Sequence, residues 1–542
     1  MRFKSLMKPR LDAPMPLWRI FPVVFAALYA SHFTLLRVPY YWDEAGYYIP
    51  AAWDFFRTGS LIPITTLTNA HPPLPSIYLA LWWKASGFFP EVTREAVLMV
   101  AALGLLAVWR LAMRLVGVPM VAFWTVLLTG IYPIWFAQSS LAHADIFAAA
   151  CTLWGLVYAL PVRDRNPHAA AAWFAAAALC KETAIAVPLT LAAFCLVDAM
   201  RAMPHARRRL AREGGWLASC VVPLAAWYGW HKAKTGFLFG NPEFLRYNAQ
   251  ANLDPIRILA AFGHRMLHLT AHMNLFVPVL MTIAALLLDP RPDADGHDRN
   301  SIAAAVLRRM AALLLGNALL FSVLGGALLT RYLLPMYPLV LLVAVTTFYR
   351  RVPLWHLLCV FSGAAFLLAL FINPPYGFAP EDNLAYAHVV RLHLSGIAQL
   401  SKRYPGATVL TAWPMSDELA RPELGYVKDP WDVDRIEDFS ADQIARAAAE
   451  PGKYSAALVF STKYDPPSPL FTLGPASKAL DERFFGLHHD LQPEEIAHQL
   501  NGTMVWKRED QGQWIALIRF NRQFEALAQP DPNPAIPSAA RE

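Results

Sequence analysis

Charged residues are scarce in this chain of 542: Asp, Glu, Lys and Arg make up 16%, where a soluble protein carries about 25%. Hydrophobic residues make up 56%, and the mean hydropathy is +0.33. That balance excludes a single soluble core, which could not hide so much apolar surface, and makes lipid the natural solvent for the excess. The formal net charge of +7 does not indicate nucleic acid, because no basic patch interleaved with aromatics accompanies it. Cysteine is also sparse. Cys151, Cys180, Cys195, Cys220 and Cys359 all lie inside apolar stretches, without the close spacing of zinc or redox sites, and are expected to serve packing. No cysteine follows Cys359, so the last third of the chain needs no disulfide even in an oxidising compartment. No small-residue cleavage site is evident after the first apolar run, which is long enough to stay as a helix; no cleavable signal peptide is expected.

What the chain has in abundance is long apolar runs. About eleven reach the length of a spanning helix, about 20 residues. They lie near 17–37, 95–116, 119–138, 144–161, 169–182, 183–200, 215–231, 266–289, 303–327, 332–349 and 353–371. Positive charge between the runs sets orientation. With Arg2, Lys4, Lys8 and Arg10 inside, the inside loops also receive Arg163 and Arg165, Arg201, Arg207–Arg209 and Arg212, Arg291 and Arg299, and Arg350 and Arg351. Segments 38–94, 139–143 and 232–265, the turn near Arg331 and everything after 372 then fall on the outer face.

Beyond 372 the long apolar runs stop. Residues 382–403 read as a helix, Ala407–Trp413 and Ser455–Phe460 as strands, and Met504–Lys507 with Trp514–Phe520 as a terminal hairpin. Ser440 and Gln443 read as a capping box opening a helix. The fold class is a polytopic α-helical membrane protein of about eleven transmembrane helices, residues 1–371, followed by a soluble α/β domain, 372–528. Gln529 to Glu542 is Pro-rich, polar and expected to be disordered.

Polar residues gather on the outer face. Directly after the first run comes Tyr40-Tyr41-Trp42-Asp43-Glu44-Ala45-Gly46-Tyr47-Tyr48. Adjacent carboxylates raise one another's pKa, as burial does, which suits one of them to act as a base; the plainer reading is an interfacial aromatic belt carrying two solvated acids. The same loop holds an amphipathic stretch, Ala51 to Phe56, and then His71-Pro72-Pro73-Leu74, a histidine at the start of a stiff turn. A lone histidine is more often structural than catalytic. His143 with Asp145, Lys181 with Glu182, and Arg331 with Tyr332 interrupt apolar sequence near the same boundary. A charge inside a span costs about 2.5–3.5 kcal/mol on insertion scales, so each pair is a functional candidate, with snorkelling from a helix end as the alternative for Lys181 and Glu182. His264, His268 and His272 recur every four residues on one expected helical face, read as interfacial packing with a metal site as the alternative.

Trp42-Asp43-Glu44, His71-Pro72-Pro73-Leu74, Asp145, Cys180-Lys181-Glu182-Thr183 and Arg331-Tyr332-Leu333-Leu334-Pro335, in this order and on one side, resemble the GT-C membrane glycosyltransferases that use polyprenyl-phosphate sugar donors. The resemblance covers roughly residues 15–371. Within that superfamily the chain looks like the bacterial branch related to protein O-mannosyltransferases and to the lipid A aminoarabinose and galacturonic acid transferases. This implies a glycosyltransferase family 39 or 83 type enzyme, with its catalytic aspartate at Asp43.

The chemistry fits independently. Phosphate is a good leaving group, so transfer needs a base on the acceptor hydroxyl and cations on the departing phosphate. Asp43 is the candidate base, with Glu44 and Asp145 positioning the acceptor or a divalent cation. Lys181 and Arg331, beside Tyr332, are candidates for the phosphate, and His71 and Glu182 for substrate positioning. Nothing in the sequence requires a cofactor, although carboxylates beside a phosphate would suit a divalent cation. The expected partners are the polyprenyl-phosphate sugar donor, a glycolipid, glycan or protein acceptor, and the bilayer of the inner membrane. The chief alternative is a transporter or flippase of a lipid-linked sugar, which would place its charges at mid-membrane. Another reading is a membrane scaffold whose soluble tail recruits a partner.

Overall fold

The structure, a computed structural model, describes residues 16–66, 68, 70–160, 165–240, 253–293, 296–324, 328–450, 452–464, 482–485 and 490–520. The N-terminal basic residues, Arg163 and the tail from Gln529 lie outside the described residues. The chain forms two compact units. The first comprises Met1–Val38, Tyr47–Pro374 and Glu381–Leu384; the second comprises Pro39–Gly46, Pro375–Pro380 and Ala385–Glu542.

The first unit is helical, and helices occupy the apolar runs from Leu17–His32 to Trp355–Phe371. Proline punctuates it. Pro90–Leu115, Pro119–Ile131, Pro133–Gln138, Pro167–Cys180, Pro204–Ala218 and Pro255–Thr270 each open on a proline, whose fixed φ suits the first turn and whose missing N–H is not needed there. Proline also shortens helices. Pro133 holds Tyr132 extended (φ −62°, ψ 125°) and splits the run 119–138 in two.

Among the described residues three helices are long and apolar enough to cross a membrane: Pro90–Leu115, Glu182–Arg201 and Ala304–Val323. A fourth span would be the pair Pro255–Asn274 and Phe276–Leu286, bent by 98° where Met273 and Asn274 take left-handed φ values of 48° and 63°. Pro119–Ile131, Ala144–Ala159, Pro167–Cys180 and Trp355–Phe371 are apolar but shorter. Pro90–Leu115 is buried over most of its length, packed against Leu17–His32, Pro119–Ile131 and Ala144–Ala159. Large apolar side chains such as Leu259 and Leu280 are exposed on the helices Pro255–Thr270 and Phe276–Leu286, as contact with acyl chains requires. All five cysteines are free thiols.

The second unit is α/β. Its five-stranded sheet runs β2-β1-β3-β5-β4, with β1 Val409–Ala412, β2 Val433–Ile436, β3 Ala456–Phe460, β4 Gly502–Asp510 and β5 Gln513–Phe520. β1 pairs in parallel with β2 and β3, while β3–β5 and the hairpin β4–β5 are antiparallel. The central strand β3 is buried at every residue. The helix Ala385–Arg403 buries Tyr386, Val389, Val390, His393, Gly396, Ile397 and Leu400, the spacing of one helical face. The strands and hairpin lie where the sequence places them, but the capping box does not form at Ser440. That residue precedes the helix Ala441–Ala448 without a side-chain cap, its own N–H instead donating to Asp438 Oδ1 at 2.9 Å. The reciprocal box forms at Gln492 and Glu495.

Candidate active site

In the first unit the helices Ala144–Ala159 and Pro167–Cys180 pack as a hairpin, about 24 and 21 Å long at 1.5 Å per residue. Gly155 permits the close approach: a Cβ there would lie 2.4 Å from the fully buried ring of Phe174. The hairpin brings the start of one helix to the end of the other. Asp145 occupies the first turn of Ala144–Ala159 and Lys181 follows the last residue of Pro167–Cys180, so each charge complements its own helix dipole. Lys181 Nζ donates to Asp145 Oδ1 at 2.6 Å.

Arg331 reaches the same carboxylate from the turn Thr330–Leu333, with Nε 3.3 Å from Asp145 Oδ2. Its Nη1 donates to Glu381 Oε2. The four groups form a line of alternating sign, Lys181, Asp145, Arg331 and Glu381, with side chains only 3–8% exposed. Tyr332 lies beneath Lys181 Nζ, 4.2 Å from the ring centroid, and the Arg265 guanidinium is 5.6 Å from the same ring, both within cation–π range.

The loop before Ala144 supplies His143, whose Nδ1 lies 2.9 Å from Gln138 Oε1 and 3.4 Å from Arg331 Nη1. Burial, together with the charges of Arg331, Lys181 and Arg94, holds its imidazole well below the ordinary value, so the ring is neutral near pH 7. Beside Glu381, Asp382 accepts from the Thr330 hydroxyl and lies 2.9 Å from His272 Nε2. Asn383 Nδ2 donates to Ala369 O at 3.2 Å and Asn373 Oδ1 at 3.1 Å.

His71 and Glu182 form a separate pair, Nδ1 to Oε2 at 2.9 Å, with side chains 20% and 26% exposed. Tyr48 stacks on the imidazole at 5.8 Å. His71 lines a narrow cleft open to solvent, whose wall also includes Tyr48, Trp227, Ala144 and Cys180. The last two precede Asp145 and Lys181 in sequence, but neither charged residue lines the cleft.

Asp43 and Glu44 belong to the second unit, and their settings differ: Asp43 is half-buried and Glu44 fully buried. Glu44 Oε2 accepts from Tyr41 N at 2.9 Å. Trp42 holds a left-handed φ of 46° and meets Trp413 edge-on, ring centroids 5.1 Å apart; Gly46 lies so close to Trp413 that a Cβ would fall 2.8 Å from the indole.

The structure therefore joins Asp145, Lys181, Arg331 and Tyr332 in one place and His71 with Glu182 in another. His264, His268 and His272 do not share one continuous helical face, because the helix ends at Thr270 and His272 stands on the following turn. Among the described residues no group of three or more His, Cys, Asp or Glu side chains is arranged for a metal ion. Sequence reading missed Glu381, Asp382 and Arg265. The acids at 381 and 382 follow the last apolar run by ten residues and look like loop residues.

No family model and no curated protein matches this chain. Among solved structures, ArnT from Cupriavidus metallidurans in the apo state superposes with a TM-score of 0.52 at 15% identity, covering 93% of this chain and 98% of that one. The chain has the ArnT fold. ArnT bound to undecaprenyl phosphate matches equally, with a TM-score of 0.51 at 15% identity over 92% and 97% of the two chains. At this identity the likeness is one of fold, and it extends over more than nine-tenths of the chain.

Proposed function

We propose that this chain is a membrane glycosyltransferase that moves a sugar from a polyprenyl-phosphate donor to the hydroxyl of a glycolipid such as lipid A, a glycan or a protein. The observation that carries the reading is the convergence of Lys181 and Arg331 on one buried carboxylate, within a fold that in ArnT binds undecaprenyl phosphate. Two cations held in a low-dielectric setting are what a departing phosphate requires.

In this reading Lys181 and Arg331, with Tyr332, receive the donor phosphate, and Asp145 keeps the two cations together until it arrives. Asp43 removes the acceptor proton, and Glu44, His71 and Glu182 position substrates. The bond from the anomeric carbon to the phosphate oxygen breaks with its electron pair going to the phosphate. A bond to the acceptor oxygen forms on the opposite face, inverting the carbon. The protein crosses the inner membrane about eleven times, with its N-terminus inside and its sheet-bearing unit outside, which the distribution of Lys and Arg between apolar runs supports.

The test is transfer of radiolabel from polyprenyl-phosphate sugars into lipid, glycan and protein fractions by the wild type and Asp43→Asn. Loss of a general base costs about 10²–10⁴ in rate. Transfer by Asp43→Asn at the wild-type rate removes Asp43 from the role. One observation favours the transporter reading: the 98° break at Met273 resembles the discontinuous helices of transporters. A wild type that carries the donor across vesicles and labels no acceptor would make that reading the better one.

A further inference from the structure

Burying charge is costly unless each ion is paired, and the line Lys181, Asp145, Arg331, Glu381 carries two charges of each sign. Its two carboxylates are held differently. Asp145 sits in the first turn of a helix locked in a close-packed hairpin, and it serves both cations. Glu381 stands in Glu381–Leu384, a short stretch of the helical unit flanked along the chain by Pro375–Pro380 and Ala385 onward, which belong to the second unit. The stretch is polar yet buried: Glu381 is 3%, Asp382 1% and Asn383 0% exposed. Asp382 is anchored by His272 and Thr330, Asn383 by Ala369 and Asn373. The backbone beside Glu381 is thereby fixed, while its side chain has one more rotatable bond than an aspartate with which to leave Arg331 and return.

Resting on the transferase reading, we propose that Glu381 is the resident counter-ion of Arg331, displaced by the donor phosphate and returning to expel the product phosphate. The need for such a group follows from the chemistry. A lipid-phosphate sugar carries one negative charge, whereas the polyprenyl phosphate it leaves behind carries about −1.5 to −2 near neutral pH, like other phosphate monoesters. The cations that assist departure would otherwise hold the product more tightly than the substrate, and product release commonly limits turnover. A carboxylate competing for Arg331 offsets that difference.

The test is the binding of undecaprenyl phosphate to the purified full-length protein, with kcat and KM for transfer, in the wild type, Glu381→Gln and Glu381→Asp. Glu381→Gln should bind the lipid phosphate about tenfold more tightly, a change of about 1.4 kcal/mol, and lower both KM and kcat. Glu381→Asp, which keeps the charge but shortens its reach, should fall between the two and keeps the question answerable should Glu381→Gln fail to fold. Affinity equal to or weaker than wild type in whichever variants fold would overturn the proposal and leave Glu381 a structural residue. A wild type that neither binds undecaprenyl phosphate nor transfers sugar would instead remove the transferase reading, and this inference with it.

Discussion

Lys181 and Glu182 are neighbours in sequence but serve different surroundings. Lys181 joins the buried line through Asp145 and Arg331, while Glu182 pairs with His71 of the solvent-accessible cleft wall. The helix Pro167–Cys180 ends immediately before them, and Lys181 takes an extended backbone, φ −150° and ψ 127°, so consecutive side chains diverge. A pair of charges at a helix end is therefore not one site. The first belongs to a buried ionic line, and the second to a partly exposed pair on the wall of a cleft open to solvent.

Breaking the buried line should have the largest effect. Lys181→Ala leaves Asp145 short of a cation and should cost about 3–5 kcal/mol, as broken buried pairs do, seen as a lower thermal unfolding midpoint together with lost transfer. Replacing both partners, Lys181→Met with Asp145→Leu, should restore most of the stability and none of the transfer. Wild-type stability in Lys181→Ala would erase the distinction between the two regions.

Gly155→Val tests the hairpin that brings Asp145 to Lys181. Its side chain must enter space held by Phe174, and overpacking of this kind costs about 1–3 kcal/mol. Transfer should fall less than in Lys181→Ala, because every charge remains. An unchanged unfolding midpoint would show that the helices part easily and that their spacing does not set the ion pair.

His71→Ala should change stability least, by under about 1 kcal/mol, since solvent screens a partly exposed pair. Its effect should appear in transfer, as a raised KM with kcat nearly kept. A stability loss as large as that of Lys181→Ala would place His71 in the same circuit as the buried line.

Much of this was legible because charge is so rare in the apolar sequence. Asp145, Lys181 and Arg331 stand out against their apolar surroundings, and the cost of burying them implies that they meet partners. The helices and the terminal hairpin were legible from periodicity and from turns. Glu381 and Asp382 were hidden for the opposite reason: they follow the end of the last apolar run, where acids are ordinary and no pattern distinguishes an inserted carboxylate from a solvated one. The grouping of Asp43 and Glu44 with the second unit was equally unreadable, because it rests on tertiary contacts such as Trp42 with Trp413. Helix lengths were overestimated where a proline such as Pro133 or a turn such as Met273–Asn274 breaks an apolar run that composition alone would leave continuous.

Gly46 and Trp42 meet Trp413 inside one unit, yet the chain between Gly46 and Ala385, where that unit resumes as a continuous segment, is about 340 residues long. A ribosome adding about 5–20 residues per second needs roughly 20–70 s to cross that interval. For that time the segment around Asp43 emerges without the indole that it will pack against. The candidate base thus waits for a partner made far later along the chain, and a chain interrupted before Trp413 would carry Asp43 with no settled place for it.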